Sequence, residues 1–217
     1  MKNINDIEIY RITHIDNVPH ILENGITHKD SFKNNPNYIN IGDKSLISTR
    51  SSKIIAVSNG EHKIVKEINL GDFIPFYFGV RMPMLYDIQH GGNYVENSTN
   101  AKDIIYIVCK LEEILKLNYE YYFTDGHATD NLTTFNDKTK INEITTILDW
   151  HCIELKYWGG AENAEIKWKK QAEFLIKGDI PSELIKFFIC YDNSIKKKLI
   201  NFGISEQNIK IDQNAYF

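Results

Sequence analysis

The sequence predicts an α+β fold on three observations. Segments that read as strands and segments that read as helices follow one another without the regular βαβ alternation of a doubly wound parallel sheet. Aromatic and β-branched runs, Phe73-Ile74-Pro75-Phe76-Tyr77-Phe78 and the wholly apolar Ile104 to Cys109, carry dense strand signals. The 217 residues, 42% of them hydrophobic, suit one large domain spanning 1–217, with no repeat and no Gly/Ser/Pro linker to divide it.

Taken in order, Ile7 to His14 alternates loosely and reads as the first strand. Asp16 then caps a short helix with Pro19 in its first turn, Ile21 and Leu22 inside, and Gly25 as terminator. Residues 29 to 45, rich in Asn, Asp, Ser and Lys, read as a long loop of the kind that often carries function. Pro75 removes a ladder donor, so the aromatic strand around it belongs at a sheet edge or a bulge. Leu111 to Leu117 fits a short helix, and Ile141, Ile144, Ile147 and Leu148 recur at helical spacing between Asn136 and Trp150. A strand runs from Gln171 to Ile176, followed by a turn led by Pro181 and a strand from Phe187 to Cys190. A helix from Asn193 to Phe202 ends at Gly203, and a strand from Asn208 to Ile211 closes the chain.

The formal net charge of −4 and pI near 6.0 argue against attraction of the whole surface to nucleic acid, so such a partner would have to be held by a local patch. Cys109, Cys152 and Cys190 are odd in number and without CxxC spacing, which predicts neither a disulfide framework nor a zinc site, and fits a reducing cytoplasm. No apolar run approaches the length of a membrane span, and the N-terminus lacks the apolar core of a signal peptide.

Glu173 is the residue most suggestive of chemistry. In a strand, Gln171, Glu173 and Leu175 share one face and Ala172, Phe174 and Ile176 the other. An ionised carboxylate there is costly to bury unless paired, hydrogen-bonded or turned to a cleft. A salt bridge to a neighbouring lysine of Lys167-Trp168-Lys169-Lys170 is the plain alternative. Tyr10-Arg11-Ile12-Thr13-His14-Ile15-Asp16-Asn17 puts hydrogen-bonding groups at a strand-to-helix junction suited to phosphate or amide groups, although His14 alone reads better as a cap. Arg50, among small hydroxyls in Ser48-Thr49-Arg50-Ser51-Ser52, is either a pyrophosphate clamp or a solvated loop arginine. Tyr77, Phe78, Arg81, Met84 and Tyr86 form a surface suited to stacking a planar ring, or else a core strand and its turn. Phe123-Thr124-Asp125-Gly126-His127-Ala128 adds a histidine at a dipeptide that predicts a reversal.

In combination these segments are more specific than any one of them. The order YRITHIDNVPHIL, an arginine after a long loop, FIPFYFGVRMPMLY, FTDGHA and KWKKQAEFLI resembles DarT, a family of bacterial toxins that attach ADP-ribose to bases of DNA. The resemblance runs from about Ile9 to the C-terminus. It implies an ADP-ribosyltransferase-like fold, two facing and mainly antiparallel sheets with peripheral helices around an NAD cleft. NAD is the implied co-substrate, without a metal, and single-stranded DNA the implied acceptor, with thymine as its base. A DarG-like macrodomain antitoxin is the implied partner. The resemblance places the catalytic glutamate at Glu173 and a catalytic arginine at Arg50. It assigns NAD contacts to Arg11, Ile12, Thr13, His20, His28 and Arg50, and closure over NAD to residues 33–52. The stretch 124–173 corresponds to the region that presents DNA. Many relatives have His where this chain has Arg11, and often two adjacent arginines where it has Thr49-Arg50-Ser51.

On this reading Glu173 steadies the oxocarbenium-like sugar as nicotinamide departs. Arg50, whose guanidinium stays protonated, positions a base that must lose its N3 proton. Tyr77, Met84 and His127 are expected to frame that base, and Lys167, Lys169 and Lys170 to meet phosphates. Three rival readings keep the same residues. They are a transferase acting on RNA or protein, a metal-dependent nuclease built on the E-x3-K spacing of Glu173 and Lys177, and a binding module without catalysis.

Overall fold

The computed structural model describes residues 2–58, 64–91, 95 and 97–217. Ten strands are present among them: β1 (Glu8–His14), β2 (Ile54–Ser58), β3 (Ile64–Asn69), β4 (Phe73–Tyr77), β5 (Ile104–Lys110), β6 (Tyr121–His127), β7 (Phe135–Asn136), β8 (Ala172–Lys177), β9 (Ile185–Cys190) and β10 (Ile209–Ile211). The helices are short: α1 (Val18–Asn24), α2 (Lys44–Ser52), α3 (Pro83–His90), α4 (Leu111–Leu115), α5 (Ile144–Ile147), α6 (Trp150–Glu154), α7 (Ala164–Lys169) and α8 (Asn193–Asn201). Eight strands form one sheet in the order β10-β9-β5-β1-β4-β8-β6-β7, and β2 and β3 pair separately as a hairpin. Every pair is antiparallel except β9 with β10. The α+β expectation is met, with two sheets of very unequal size.

The large sheet is nearly split in the middle. β1 pairs with β5 along seven residues, from Glu8 opposite Lys110 to His14 opposite Ile104, but meets β4 at Tyr10 opposite Tyr77 alone. This opening explains why Pro75 is tolerated in a central strand. Pro75 pairs with Leu175 of β8 on one side, while on the other, where its missing N–H would be needed, the ladder to β1 is already open. The expected edge is therefore a local one inside the sheet. Its carbonyl accepts instead from Arg11 Nη1 at 3.0 Å.

One face of the sheet is covered throughout. Ile9, Ile74, Phe76, Ile105, Ile107, Phe174 and Ile176 pack there with Val18 and Ile21 of α1, Ile114 of α4, Ile144 of α5, Ile153 of α6 and Leu199 of α8. The other face is covered in two pieces. Met82, Leu85, Ile88 and Tyr216 lie over Tyr106, Val108 and Ile189, whereas Ile55, Val57 and Ile68 of the hairpin lie over Phe73, Tyr122 and Leu175. Between these clusters Tyr77 lines a cavity with Arg50, and Glu173 lies buried beneath that arginine.

Several expectations change. The loop predicted over 29 to 45 gives way at Lys44 to α2, which Asp43 caps by accepting from the amides of Ser45 and Leu46 at 2.7 and 3.0 Å. α2 buries no residue, so it has no apolar stripe to betray it. Asp125-Gly126 is not a reversal. Both residues lie inside β6, where the register to β8 shifts between Phe123 and His127, a β-bulge. The helix expected near 141 to 148 is divided into a 3-10 segment, Lys138–Glu143, and the single turn of α5. Asp16 is an ion-pair partner of Lys198 at 2.8 Å rather than a helix cap, and His14 Nδ1 accepts from the Asp16 amide at 3.2 Å.

Candidate active site

Glu173 occupies the second position of β8, opposite Tyr77 of β4 and on the face shared with Leu175. It is completely buried. Its backbone N–H donates to Thr124 Oγ1 at 2.9 Å, and its Oε1 accepts from the Ala128 amide at 3.1 Å. β6 and the residue directly after it thus fix both ends of the residue. The charge is answered by Arg50, whose Nη1 donates to Oε1 at 3.1 Å and lies 2.9 Å from Oε2. The second contact is an ion-pair distance without an aligned hydrogen bond, and Oε2 and Arg50 Nη2 are buried without a hydrogen-bond partner. A buried donor and a buried acceptor both lacking partners form a constellation whose hydrogen bonding a ligand would complete.

Arg50 reaches this place because α2 docks closely at its C-terminal end. A Cβ on Gly71 would stand 2.7 Å from Cα of Ser51, so a glycine is required beneath the helix. Asn69 Nδ2 donates to Ser51 O at 3.2 Å, and His28 Nε2 lies 2.8 Å from Gly71 O. His28 Nδ1 accepts from the Asp30 amide at 3.2 Å, which assigns the proton to Nε2 and makes that nitrogen the donor. Arg50 is thus a helix residue with a buried partner, not a solvated loop arginine.

The polar groups of the first strand divide their tasks. Arg11 lines three adjoining cavities of about 220, 160 and 290 Å³. The first also holds Asn17, His20, His28, Asn34 and Tyr38, and the second holds Ile12, Asp43, Arg50, Tyr77, Met84 and His127. Thr13 is buried and accepts from Asn17 Nδ2 at 3.1 Å, with the Tyr38 hydroxyl 3.3 Å away. Asn17, the last residue of the polar segment at the strand-to-helix junction, does most here. Its Nδ2 donates to Ile39 O at 2.8 Å and its Oδ1 accepts from Ile39 N at 2.9 Å, pinning the segment that leads into α2. Both bonds to Ile39 span 22 residues, which no local pattern signals.

Tyr77, Met84 and His127 come together in one cavity with Arg50, although they lie on β4, α3 and β6. Burial pushes the His127 imidazole below its ordinary value, against the pull of Glu173 and together with Arg50. Burial and the nearby Glu173 push the Tyr77 phenol well above its ordinary range. Both groups are neutral near pH 7.

The lysines are placed differently from what the sequence suggested. Lys170 is buried, donates to Ile153 O at 2.7 Å, and is pushed down to about 8 by burial and Arg81. Its ammonium faces the interior and is not offered to a phosphate. Lys169 is engaged by Glu165 at 2.7 Å and Asp149 at 3.2 Å. Lys177 ends β8, exposed, beside Asp72 and Glu120 at 3.5 and 3.7 Å, so the E-x3-K pair does not converge on one site. Arg81, in the left-handed region with φ 54°, stacks on the Phe217 ring at 4.0 Å and donates to Tyr216 O, which makes it a brace for residues 216 and 217.

Comparison with known proteins gives a consistent result. The family model described as "ssDNA thymidine ADP-ribosyltransferase, DarT" matches residues 10–217. A DNA ADP-ribosyl transferase of Escherichia coli is 32% identical over 192 residues, 88% of this chain and 83% of its own. A DNA ADP-ribosyl transferase–DNA ADP-ribosyl glycohydrolase fusion protein of Thermosipho africanus is 29% identical over 97% of this chain and 49% of its own. Among solved structures, Thermus sp. 2.9 DarT in complex with ADP-ribosylated ssDNA superposes with a TM-score of 0.80 at 26% identity, over 97% of this chain and 96% of that one. The same protein in complex with NAD+ gives a TM-score of 0.74 at 25% identity, over 97% and 98%.

Proposed function

Because the chain belongs to the DarT family, we propose that it is a DNA ADP-ribosyltransferase whose chemistry is carried by Glu173 and Arg50 in the cleft between the two halves of its sheet. It transfers ADP-ribose from NAD to thymine in single-stranded DNA, with release of nicotinamide. The product obstructs replication, and the matching partner is a DarG-like antitoxin whose glycohydrolase reverses the modification. We take residues 1–217 to act as one domain, in the cytoplasm, where NAD and DNA are both at hand. No helix among the described residues is long and apolar enough to cross a membrane.

The observation that carries the assignment of roles is the buried Arg50–Glu173 pair with one unpartnered atom on each side. As the bond from C1 of the ribose to nicotinamide breaks, its electrons leave with the neutral ring and positive charge spreads over C1 and the ring oxygen. A fixed carboxylate in a water-poor cleft is worth most where that charge grows, and Glu173 is held for that task by the Ala128 amide. Arg50 loses contact with Glu173 when the ribose enters, and its freed N–H groups then hold the base whose N3 attacks C1. Deprotonation of N3 is favoured by that cation, and the proton passes to solvent. Arg11, Ile12, Thr13, His20 and His28 are assigned to the dinucleotide, and Tyr77, Met84 and His127 to the target base. Lys169 remains available to DNA only if it exchanges its carboxylate partners, and Lys170 is left out of the assignment.

Mass analysis of short oligonucleotides after incubation with NAD tests donor, acceptor and base together. A gain of one ADP-ribose on thymine-containing single strands is expected. Label from NAD on protein or RNA alone would overturn the DNA assignment.

A further inference from the structure

The bulge of β6 presents two groups to the candidate site, the Ala128 amide on Glu173 Oε1 and the His127 ring beside Arg50 and Tyr77. A bulge is not self-supporting, because its extra residues leave the ladder. Here it is held from behind by a short chain of hydrogen bonds. Trp168 Nε1 donates to Thr133 Oγ1 at 2.9 Å, and Thr133 Oγ1 donates to the His127 carbonyl at 2.6 Å. A single hydroxyl therefore receives one bond and gives another, which fixes its rotor.

The indole also packs against the bulge directly. A Cβ on Gly126 would come within 2.1 Å of the Trp168 ring, so this glycine exists where the ring needs its space. The other flank of the loop is tied by Lys53, which donates to the Thr129 carbonyl and to Asn131 Oδ1, the latter at 3.2 Å. Lys53 directly follows α2. The loop 128–133 is thus strung between the helix that carries Arg50 and the helix that immediately precedes the strand of Glu173. Nothing in the assignment of catalytic roles uses Trp168 or Thr133.

We propose that Thr133 and Trp168 are positioning residues for the transfer step, setting the bulge so that His127 and the Ala128 amide stand in register with Glu173 when the acceptor base arrives. This rests on the reading of the site as a DNA ADP-ribosyltransferase. Neither side chain lines the cavities that hold Arg11, His20 and His28. Their loss falls on the transfer step and spares binding of the dinucleotide.

The test uses Thr133→Val, which keeps the shape and removes both hydrogen bonds, and Trp168→Phe, which removes the N–H and keeps a ring against Gly126. Thr133→Ser serves as the rescue. Initial rates against a thymine-containing oligonucleotide and NAD affinity by calorimetry are measured separately on the full chain. Thr133→Val and Trp168→Phe are expected to lower kcat/KM for the oligonucleotide by about tenfold, with NAD affinity within about twofold of the parent and activity restored in Thr133→Ser. Parental transfer in both variants overturns the proposal, as does equal loss of NAD binding and transfer, which marks a merely structural role. If Thr133→Val fails to fold, Trp168→Phe decides on the same criteria. A parent chain that modifies no oligonucleotide at all instead overturns the functional reading on which the proposal rests.

Discussion

Nη1 of Arg50 lies 2.9 Å from Oε2 and 3.1 Å from Oε1 of Glu173, although 123 residues separate the two in sequence. The helix end that carries the arginine thereby lies over the carboxylate and leaves it no exposed surface. A ribose approaching Glu173 must displace this guanidinium, so entry of the substrate and release of Arg50 toward the acceptor are one event.

Glu173→Gln keeps the size of the side chain and its acceptor for the Ala128 amide but removes the charge. Transfer to DNA is expected to fall on the order of a hundredfold to a thousandfold while NAD still binds. Product quantified by mass, with NAD affinity by calorimetry, checks this. Unchanged transfer would remove Glu173 from the chemistry.

Arg50→Ala leaves a fully buried carboxylate without its countercharge, a loss of about 3 kcal/mol in folding stability. Arg50→Lys restores the charge but not the second guanidinium nitrogen, so its stability should recover while transfer stays low. Urea midpoints set beside initial rates for the two variants separate these effects. Equal stability of parent and Arg50→Ala would show that the pair does not hold in solution.

His127 gives a pH signature. Burial holds the folded imidazole below its ordinary value of 6.5, so the unfolded chain binds the proton more readily and protonation favours unfolding. The contribution of this residue to stability is complete above about pH 6.5 and declines as the pH falls through the folded-state value. Denaturation midpoints of the parent and His127→Gln, compared between about pH 7 and about pH 5, should show a shallower acid decline in the variant. Parallel declines would place the ring in contact with water.

Asn17→Ala removes both hydrogen bonds to the backbone of Ile39 and the donor to Thr13. Since the freed segment leads into α2 beside the cavities of Arg11 and His28, KM for NAD is expected to rise about tenfold with a smaller change in kcat. Steady-state rates at saturating oligonucleotide measure it. A change confined to kcat would detach the clamp from the dinucleotide.

The local elements were largely legible. β1, β8, β9, α1 and α8 form within one or two residues of the segments read from periodicity and caps, because each depends on a short apolar pattern that neighbours do not overrule. The faces of β8 were legible as well, since period two leaves no freedom once the strand is granted. The hairpin of β2 and β3 and the helix α2 were not. The first carries a period-two signal in Ile55 and Val57 that is masked by the Arg/Ser/Lys stretch before it, which reads as loop, and the second buries nothing, so it displays no signal on which periodicity relies.

The candidate site was legible as residue types in a family order, with Glu173 the firmest. Its geometry was not. Pairing of Arg50 with Glu173, convergence of Tyr77, Met84 and His127, the clamp made by Asn17 and the inward turn of Lys170 all join residues far apart in the chain. By itself the sequence determined most of the strands, the terminal helix and the kind of chemistry, since propensity and side-chain type act over a few residues. Only the tertiary structure decided which charges face each other, because burial and Coulomb attraction depend on distances that strand pairing, the opening between β1 and β4, and the docking of α2 on Gly71 bring about.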